Sequence, residues 1–234
     1  MNKDLPFAVR VEVSSSVIPG QRLTLDAILA SLIFARTRSV EIAHATIPLK
    51  KVMDVWAGSA ALIETPAPIR PVAVIQSLRA QLDISPDTIR PEKRGYPRIE
   101  TARGNYRNQM SSYTAYDAKA IWFSGCGDVD KIRLLLEDLD GIGTKRSIGY
   151  GKVSRVYVHQ TDADRSGFRF TDGTPARPIP IETWERDNGI DCERALETYS
   201  PPYWNGERVV CALPTHQIVS KSQAQRLVGV MPQE

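Results

Sequence analysis

Hydrophobic and polar residues follow a regular pattern along four stretches of the chain. Residues 7–13 alternate apolar and polar side chains, as a half-buried strand does, whereas residues 23–35 place apolar side chains at helical spacing. Residues 119–125 form an apolar run that is typical of a buried strand. Residues 129–139 return to helical spacing behind Asp128, which is a suitable N-cap. The pattern therefore predicts two strands, each followed by a helix.

Three further stretches complete the pattern. Residues 150–158 alternate like a strand, and residues 39–47 and 60–78 contain short β-branched runs interrupted by prolines, which favours strands and loops over long helices. The resulting order is strand, helix, strands, then strand, helix, strand. It is typical of an α+β protein with a ferredoxin-like, or RRM-like, β-α-β-β-α-β core. The open face of such a sheet is a common platform for RNA.

Two segments lie outside the core elements. Residues 81–116 differ in composition, with prolines, cations and tyrosines, and are interpreted as a basic, thumb-like insertion. Residues 159–234 are polar and rich in proline, and they are predicted to form a C-terminal extension that packs on the core. We therefore predict one ferredoxin-like domain over residues 1–158, followed by the extension.

Composition excludes several classes of protein. No apolar run is long enough to span a bilayer and the first residues do not form a signal peptide, so we expect a cytoplasmic location and no membrane partner. Cys126, Cys192 and Cys211 are widely spaced and form no Cys-x-x-Cys pair, which indicates neither a disulfide framework nor a zinc site. We expect no metal and no cofactor.

The positive charge is concentrated in two segments. The chain carries a net charge of only +3, but residues 88–108 carry +4 and residues 141–155 carry another +4 with no acid. The remainder is therefore acidic. This distribution predicts a basic groove for a polyanion, and solvated loop charge is the alternative.

The second basic segment is also rich in glycine. Residues 141–153, Gly-Ile-Gly-Thr-Lys-Arg-Ser-Ile-Gly-Tyr-Gly-Lys-Val, combine four glycines with three cations. Glycine allows positive φ and a close approach of backbone N–H groups to an anion, so the segment is a candidate phosphate-binding loop. It lacks a Gly-Lys-Ser/Thr and leads into a strand, which argues against both the Walker and the dinucleotide motifs. A flexible turn with solvated cations is the other interpretation.

The insertion interleaves cations with aromatic residues. Guanidinium groups can meet phosphates while rings stack on bases, which is how many proteins hold single-stranded nucleic acid. Tyrosines are also ordinary hairpin residues, and that alternative stays open. The candidate RNA-binding residues of the insertion are Arg90, Lys93, Arg94, Arg98, Arg103, Tyr106 and Arg107.

A glycine-rich basic loop between the second helix and the last strand of a ferredoxin-like unit resembles the CRISPR-associated RAMP superfamily. Within that superfamily, three features look like the small Cas-five-type subunit of type IV CRISPR effectors. These are the early helix around Leu25 and Asp26, the mid-chain position of the loop, and the Pro-Pro-Tyr-Trp segment at residues 201–204.

The resemblance implies a non-catalytic role in antiviral defence, in which the chain holds the 5′ handle of a CRISPR RNA and caps a filament of backbone subunits. The implied partners are CRISPR RNA and the backbone and large subunits of a type IV effector complex. Contact with the target DNA duplex beside its flanking motif is a further hypothesis. The insertion residues carry over by position only. The residues that carry over by motif as the handle-facing loop are Gly141, Gly143, Lys145, Arg146, Ser147, Gly149, Tyr150, Gly151 and Lys152.

The alternative function is a metal-independent endoribonuclease of the same superfamily that processes CRISPR repeat RNA. Such an enzyme needs a general acid and base, usually His with Tyr, Ser or Lys. The three histidines, His44, His159 and His216, are far apart in sequence, and a structural or surface role is expected for each. His44, in the strand-like stretch 41–47, is the best catalytic candidate. A third hypothesis is a protein-assembly module whose basic regions meet acidic partners, and steep salt dependence of RNA binding would argue against it.

Overall fold

The computed structural model describes residues 4–20, 23–65, 70–76, 107–162 and 167–231. The chain divides into two units, one made of Met1–Pro68 with Tyr116–Glu234 and the other of Ile69–Ala115. The second unit contains residues 81–115 of the segment interpreted as an insertion, together with an additional strand before it.

The helices and strands follow one another along the chain as β1 (Asp4–Val13), α1 (Leu25–Thr37), α2 (Val40–Ala45), β2 (Lys51–Val52), β3 (Val55–Trp56), β4 (Leu62–Glu64), β5 (Arg70–Gln76), β6 (Gln109–Ala115), β7 (Ala120–Asp128), α3 (Val129–Leu136), β8 (Val153–Gln160), β9 (Ile179–Pro180), α4 (Ile181–Arg186), β10 (Arg194–Glu197), β11 (Val209–Ala212), β12 (Ile218–Val219) and α5 (Lys221–Val228).

The central sheet of the first unit has the strand order β12-β4-β7-β1-β8. The pairs β4–β7, β7–β1 and β1–β8 are antiparallel, whereas β12 runs parallel to β4. In chain order the core is β1-α1-β4-β7-α3-β8, with β1 and β7 in the centre of the sheet. This is the β-α-β-β-α-β arrangement, so the predicted α+β fold class with a ferredoxin-like core is confirmed.

One face of the sheet packs against α1 and α3. Phe7 and Val9 of β1 point to this side, as the alternation of the strand predicts, and they belong to one buried apolar cluster with Leu29 of α1 and Ile132 of α3. The helix α3 begins at Asp128, whose side chain accepts from the N–H of Lys131, which confirms the predicted cap.

The opposite face of the sheet is partly covered by the C-terminal extension. Trp122 of β7 and Leu62 of β4 pack against Leu227 and Val228 of α5 in a second apolar cluster. The face was predicted to be an open RNA platform, and this half of it is closed. The half formed by β1 and β8 carries polar and aromatic side chains instead, beginning with Arg10.

The extension also forms a small sheet of its own, with the order β10-β11-β9. The helix α4 packs on it through Trp184, which belongs to a third buried apolar cluster with Phe168, Ile179 and Ala212. Among the described residues no helix is long and apolar enough to cross a membrane.

Three element predictions differ from the structure. Residues 39–47 were predicted to be strand-like, but they contain α2, because the Ser39 hydroxyl accepts the N–H of Ile42 and begins a helix. The helix α3 ends at Leu136, after which the chain tightens into successive turns. The strand β8 begins at Val153 and not at residue 150, because Gly151 has a positive φ of 67° that a strand cannot contain.

The second unit contains the β5–β6 hairpin, in which Val72 pairs with Tyr113 and Val74 with Ser111. These four side chains are half-buried, whereas Ile75 and its neighbours on the other face are exposed.

Candidate nucleic-acid interface

The glycine-rich segment forms a closed loop between α3 and β8. Its two ends meet where Gly141 and Lys152 pair as an antiparallel bridge. The N–H of Ile142 donates to the carbonyl of Gly151 at 2.8 Å. Backbone hydrogen bonds therefore fix the base of the loop before β8 begins.

The loop is also tied to the segment that follows β1. The N–H of Thr144 donates to the carbonyl of Ile18 at 2.7 Å, and the N–H of Gly151 donates to the carbonyl of Ser16 at 2.8 Å. The glycine N–H groups were expected to lie against an anion, but the amide of Gly151 holds the loop to the fold and is not available to a ligand.

The tip of the loop is a single 3-10 turn, Arg146–Ile148. The chain enters the turn through Lys145 and leaves it through Gly149, both with left-handed backbone conformations. The N–H of Gly149 donates to the carbonyl of Arg146 at 3.0 Å, so this amide too is used within the loop. Arg146 and Ser147 are exposed and Lys145 is half-buried. The tip of the loop therefore presents cationic side chains and a hydroxyl group on a backbone that hydrogen bonds hold in place.

The remaining predicted residues have different positions. Lys152 is exposed at the foot of the loop, and Gly143 and Tyr150 are half-buried within it. Arg107 is exposed in the second unit. Six of the predicted insertion residues lie outside the described residues, namely Arg90, Lys93, Arg94, Arg98, Arg103 and Tyr106.

A stripe of side chains along β8 was missed by the sequence predictions. Residues Arg155, Tyr157 and His159 lie opposite Glu12, Arg10 and Ala8 of β1 and so point to the same face of the sheet. The rings of Tyr157 and His159 are nearly parallel, with centroids 6.2 Å apart and planes at 12°. The signal that could have found the stripe was the spacing i, i+2, i+4 along a predicted strand.

Two arginines lie on either side of Tyr157 in the two strands, Arg10 across the sheet and Arg155 two residues before it. The guanidinium of Arg10 lies 5.9 Å from the centroid of this ring and 5.4 Å from that of Trp122. The hydrogen bond to Tyr157, and then the charge of Glu12, raise the pKa of Arg155. Arg155 is exposed and stays charged, so it places a cation beside the two rings.

An open groove of about 490 Å³ runs beside β8. On one side it is lined by α3 and the turn after it, including Arg133, and on the other by residues 153–159 of the strand. The groove therefore begins directly after the basic loop and lies on the α3 side of β8, toward which Val156 and Val158 point, whereas the stripe points to the opposite face.

A buried ion pair joins the C-terminal extension to α1. Nη2 of Arg177 lies 3.2 Å from Oδ2 of Asp26, and neither side chain is exposed. The Tyr203 hydroxyl donates to Oδ2 of Asp26 at 2.5 Å, and Nη2 of Arg177 donates to the Tyr203 hydroxyl at 2.7 Å. Asp26 and Tyr203 belong to the two distant segments that carried the resemblance to type IV subunits, so those segments meet in the fold.

The protonation states in this network follow from its charges. Burial raises the pKa of the Tyr203 hydroxyl, and the nearby charge of Arg177 does not offset the effect. Burial, the largest effect, would by itself lower the pKa of Arg177, but the charge of Asp26 together with the interactions with Tyr203 and the hydrogen bonds to both residues outweighs it, so the net shift is upward. The tyrosine is therefore neutral and the arginine charged.

The three histidines lie in separate environments. His44 is in α2, with its ring centroid 6.1 Å from that of the exposed Trp204. His216 lies 2.6 Å from Oδ2 of Asp172. The ring of His159 stacks on the ring of Tyr157. Among the described residues no three His, Cys, Asp or Glu side chains are arranged to hold a metal ion.

Fold and site together define a class of protein: a ferredoxin-like domain with a basic, glycine-rich loop between its second core helix and its last core strand. Residues 75–214 match the family model of the CRISPR type IV associated protein Csf3. Because this match covers more than half of the chain, the chain belongs to that family. The prediction of a type IV CRISPR protein is confirmed, and the assignment to the Cas-five-type subunit stays a prediction.

Comparison with individual proteins adds little. One similar solved structure is the cryo-EM structure of the type III-B Cmr-beta bound to cognate target RNA, with a TM-score of 0.40 and 10% sequence identity. The likeness covers 67% of this chain and 61% of that chain, which is less than two thirds of the latter's length. A likeness at this level does not define a function. No curated protein matches the chain.

Proposed function

We propose that the chain is a non-catalytic RNA-binding subunit of a type IV CRISPR effector complex, and that its basic loop holds the 5′ handle of the CRISPR RNA. One observation carries this proposal. The cations of the loop, of which Arg146 and Lys152 are exposed, stand on a backbone that hydrogen bonds fix at both its base and its flank. Membership of the type IV family supplies the context.

The loop can bind phosphates through charge and rigidity. Lys145, Arg146 and Lys152 place three cations within eight residues, with no acid between them. Phosphate contacts of this kind position an RNA without reading its bases. Because the backbone is already ordered, little further conformational entropy is lost when RNA binds.

The finer parts of the proposal follow from the resemblance to Cas-five-type subunits. The chain would cap one end of the backbone filament and contact the backbone and large subunits. It would also lie near the target DNA duplex beside the flanking motif. No cofactor is part of this role.

Co-expression with a CRISPR array and the neighbouring genes tests the proposal. We expect the complex purified through this chain to retain uniform CRISPR RNAs that share one 5′ handle. Lys145→Ala combined with Arg146→Ala should weaken RNA binding by about 100-fold and lower the amount of RNA retained, since each of the two charge-assisted contacts contributes roughly 1.5 kcal/mol. Sequencing and quantifying the bound RNA measures both results.

The matched control removes two exposed cations of the extension, Arg194→Ala with Arg208→Ala. It lowers the net charge equally and should leave RNA retention unchanged. Equal loss in both double variants would contradict the assignment to the loop, and random cellular RNA in the wild-type complex would contradict handle binding.

A second candidate function is cleavage of CRISPR repeat RNA. The observation that favours it is the contact between His159 and Tyr157, because a histidine with a tyrosine can supply acid and base. His44 has Trp204 as its ring neighbour instead. If the purified chain cuts repeat RNA without metal and His159→Ala or His44→Ala stops the cutting, the non-catalytic proposal is wrong.

A further inference from the structure

The half of the sheet face that α5 leaves uncovered carries two aromatic rings beside the basic loop. Tyr157 and His159 are both half-buried, so part of each ring is accessible. Their planes differ by only 12°, and they stand two residues apart on one strand. They therefore present two successive ring faces with the same orientation.

We infer that Tyr157 and His159 form a base-stacking platform for the single-stranded RNA segment adjoining the one that the loop holds. This inference rests on the proposed RNA binding at the loop. Aromatic side chains on a sheet stack bases in other RNA-binding domains, and stacking tolerates any base because every base has a π face.

The position of the rings fits a strand of RNA that continues from the loop. The loop ends at Lys152, and β8 carries Arg155 two residues before Tyr157 and four before His159. The face of β8 that carries these three side chains begins directly after the foot of the loop. An RNA backbone bound at the loop can thus continue along this face, where Arg155 meets a phosphate and the rings meet the bases.

The Tyr157 ring is supported from within the sheet, which suits a platform. The guanidinium of Arg10 lies 5.9 Å from the centroid of this ring and restricts its orientation. Arg10 itself is bonded to Glu12, so its charge is compensated within the protein. In this arrangement Arg10 positions the ring, and Arg155 is the cation of the stripe that meets RNA.

The test compares two probes on the full chain: a fluorescein-labelled repeat RNA and an oligonucleotide of the same length with abasic sites over its central nucleotides. The wild type should bind the normal RNA more tightly. Tyr157→Leu combined with His159→Leu should weaken binding of the normal RNA by about 30-fold or more, because two stacked bases are lost, and remove the preference over the abasic probe. The slope of affinity against salt should not change, because no phosphate contact is lost.

Tyr157→Phe is the matched control, since it keeps the ring and removes only the hydroxyl, and it should bind like the wild type. As a second measurement, RNA containing 4-thiouridine should crosslink to the β8 peptide of the wild type. Equal affinity of the wild type for both probes, or crosslinks only elsewhere, overturns the inference. If the wild type cleaves the RNA and His159→Leu abolishes the cleavage, the inference is also overturned, in favour of a catalytic role. Loss of RNA binding in the variant Lys145→Ala with Arg146→Ala tests the proposed function of the loop and does not test the stacking platform.

Discussion

Replacing Arg177 by methionine is expected to lower the free energy of unfolding by about 3–5 kcal/mol, because it leaves a buried carboxylate without its counter-ion. The guanidinium contacts Asp26 and the Tyr203 hydroxyl, and it donates to the carbonyls of Trp56 and Tyr199. Removing it takes away the charge that compensates the buried Asp26 and the donor to both carbonyls.

Urea denaturation of the wild type and the variant measures this effect. Arg36→Met is the matched control, because Arg36 pairs with Asp138 at 2.7 Å on the surface and the same substitution should cost less than about 1 kcal/mol. Arg177→Met with Asp26→Leu should recover part of the loss, since it removes both charges. A cost for Arg177→Met no larger than for the control would contradict the structural role of the network.

The network is not fully satisfied. Within the described part of the chain, Oδ1 of Asp26 and Nε of Arg177 are buried without a hydrogen-bond partner. Such a pair stabilises less than its contacts suggest, although losing one member remains costly. The network fixes the position at which the C-terminal extension meets α1.

The second large effect is expected for Gly151→Ala. This residue has a φ of 67°, and a Cβ built on it would lie 1.8 Å from the carbonyl oxygen of Ile142, which belongs to the backbone and cannot turn away. The left-handed conformation alone costs about 1–2 kcal/mol, and the clash must also push the two ends of the loop apart. We expect a loss of several kcal/mol in stability together with loss of RNA binding.

Gly149→Ala is the control that separates the two causes. Gly149 also has a positive φ, 95°, but a Cβ there would meet nothing within 4 Å. It should therefore show the conformational cost without the clash. Thermal unfolding and RNA binding of both variants give the comparison, and equal effects of the two substitutions would mean that the close approach at Gly151 does not matter.

The core elements could be predicted because each depends on local pattern. The alternation in β1 and the helical spacing in α1 and α3 each match one buried face. The prediction failed for α2, where a single Ser39 cap outweighs the β-branched residues of a short segment. The strand β12 was also missed, since two residues gain their conformation only by pairing with the distant β4.

The site was predictable in composition but not in geometry. Glycines and cations in residues 141–153 revealed the loop, whereas the use of its amides depends on Ser16 and Ile18, more than a hundred residues away. In the same way, Asp26 and Arg177 are separated by 151 positions, and no local pattern could pair them. The alternation of side chains along β8 could be read from the sequence. That the stripe lies on the uncovered half of the sheet face follows only from the position of α5, which covers the other half.

The most direct test of the central claim is the salt dependence of RNA binding. Affinity of the full chain for the repeat RNA is measured over a series of salt concentrations, for the wild type, for Lys145→Ala with Arg146→Ala, and for the Arg194 and Arg208 control. Each phosphate contact with single-stranded nucleic acid contributes roughly 0.7 to the slope of log affinity against log salt. The loop variant should therefore lose about 1.4 from the slope, and the control should lose none. A loop variant with the wild-type slope would show that these cations do not bind RNA phosphates.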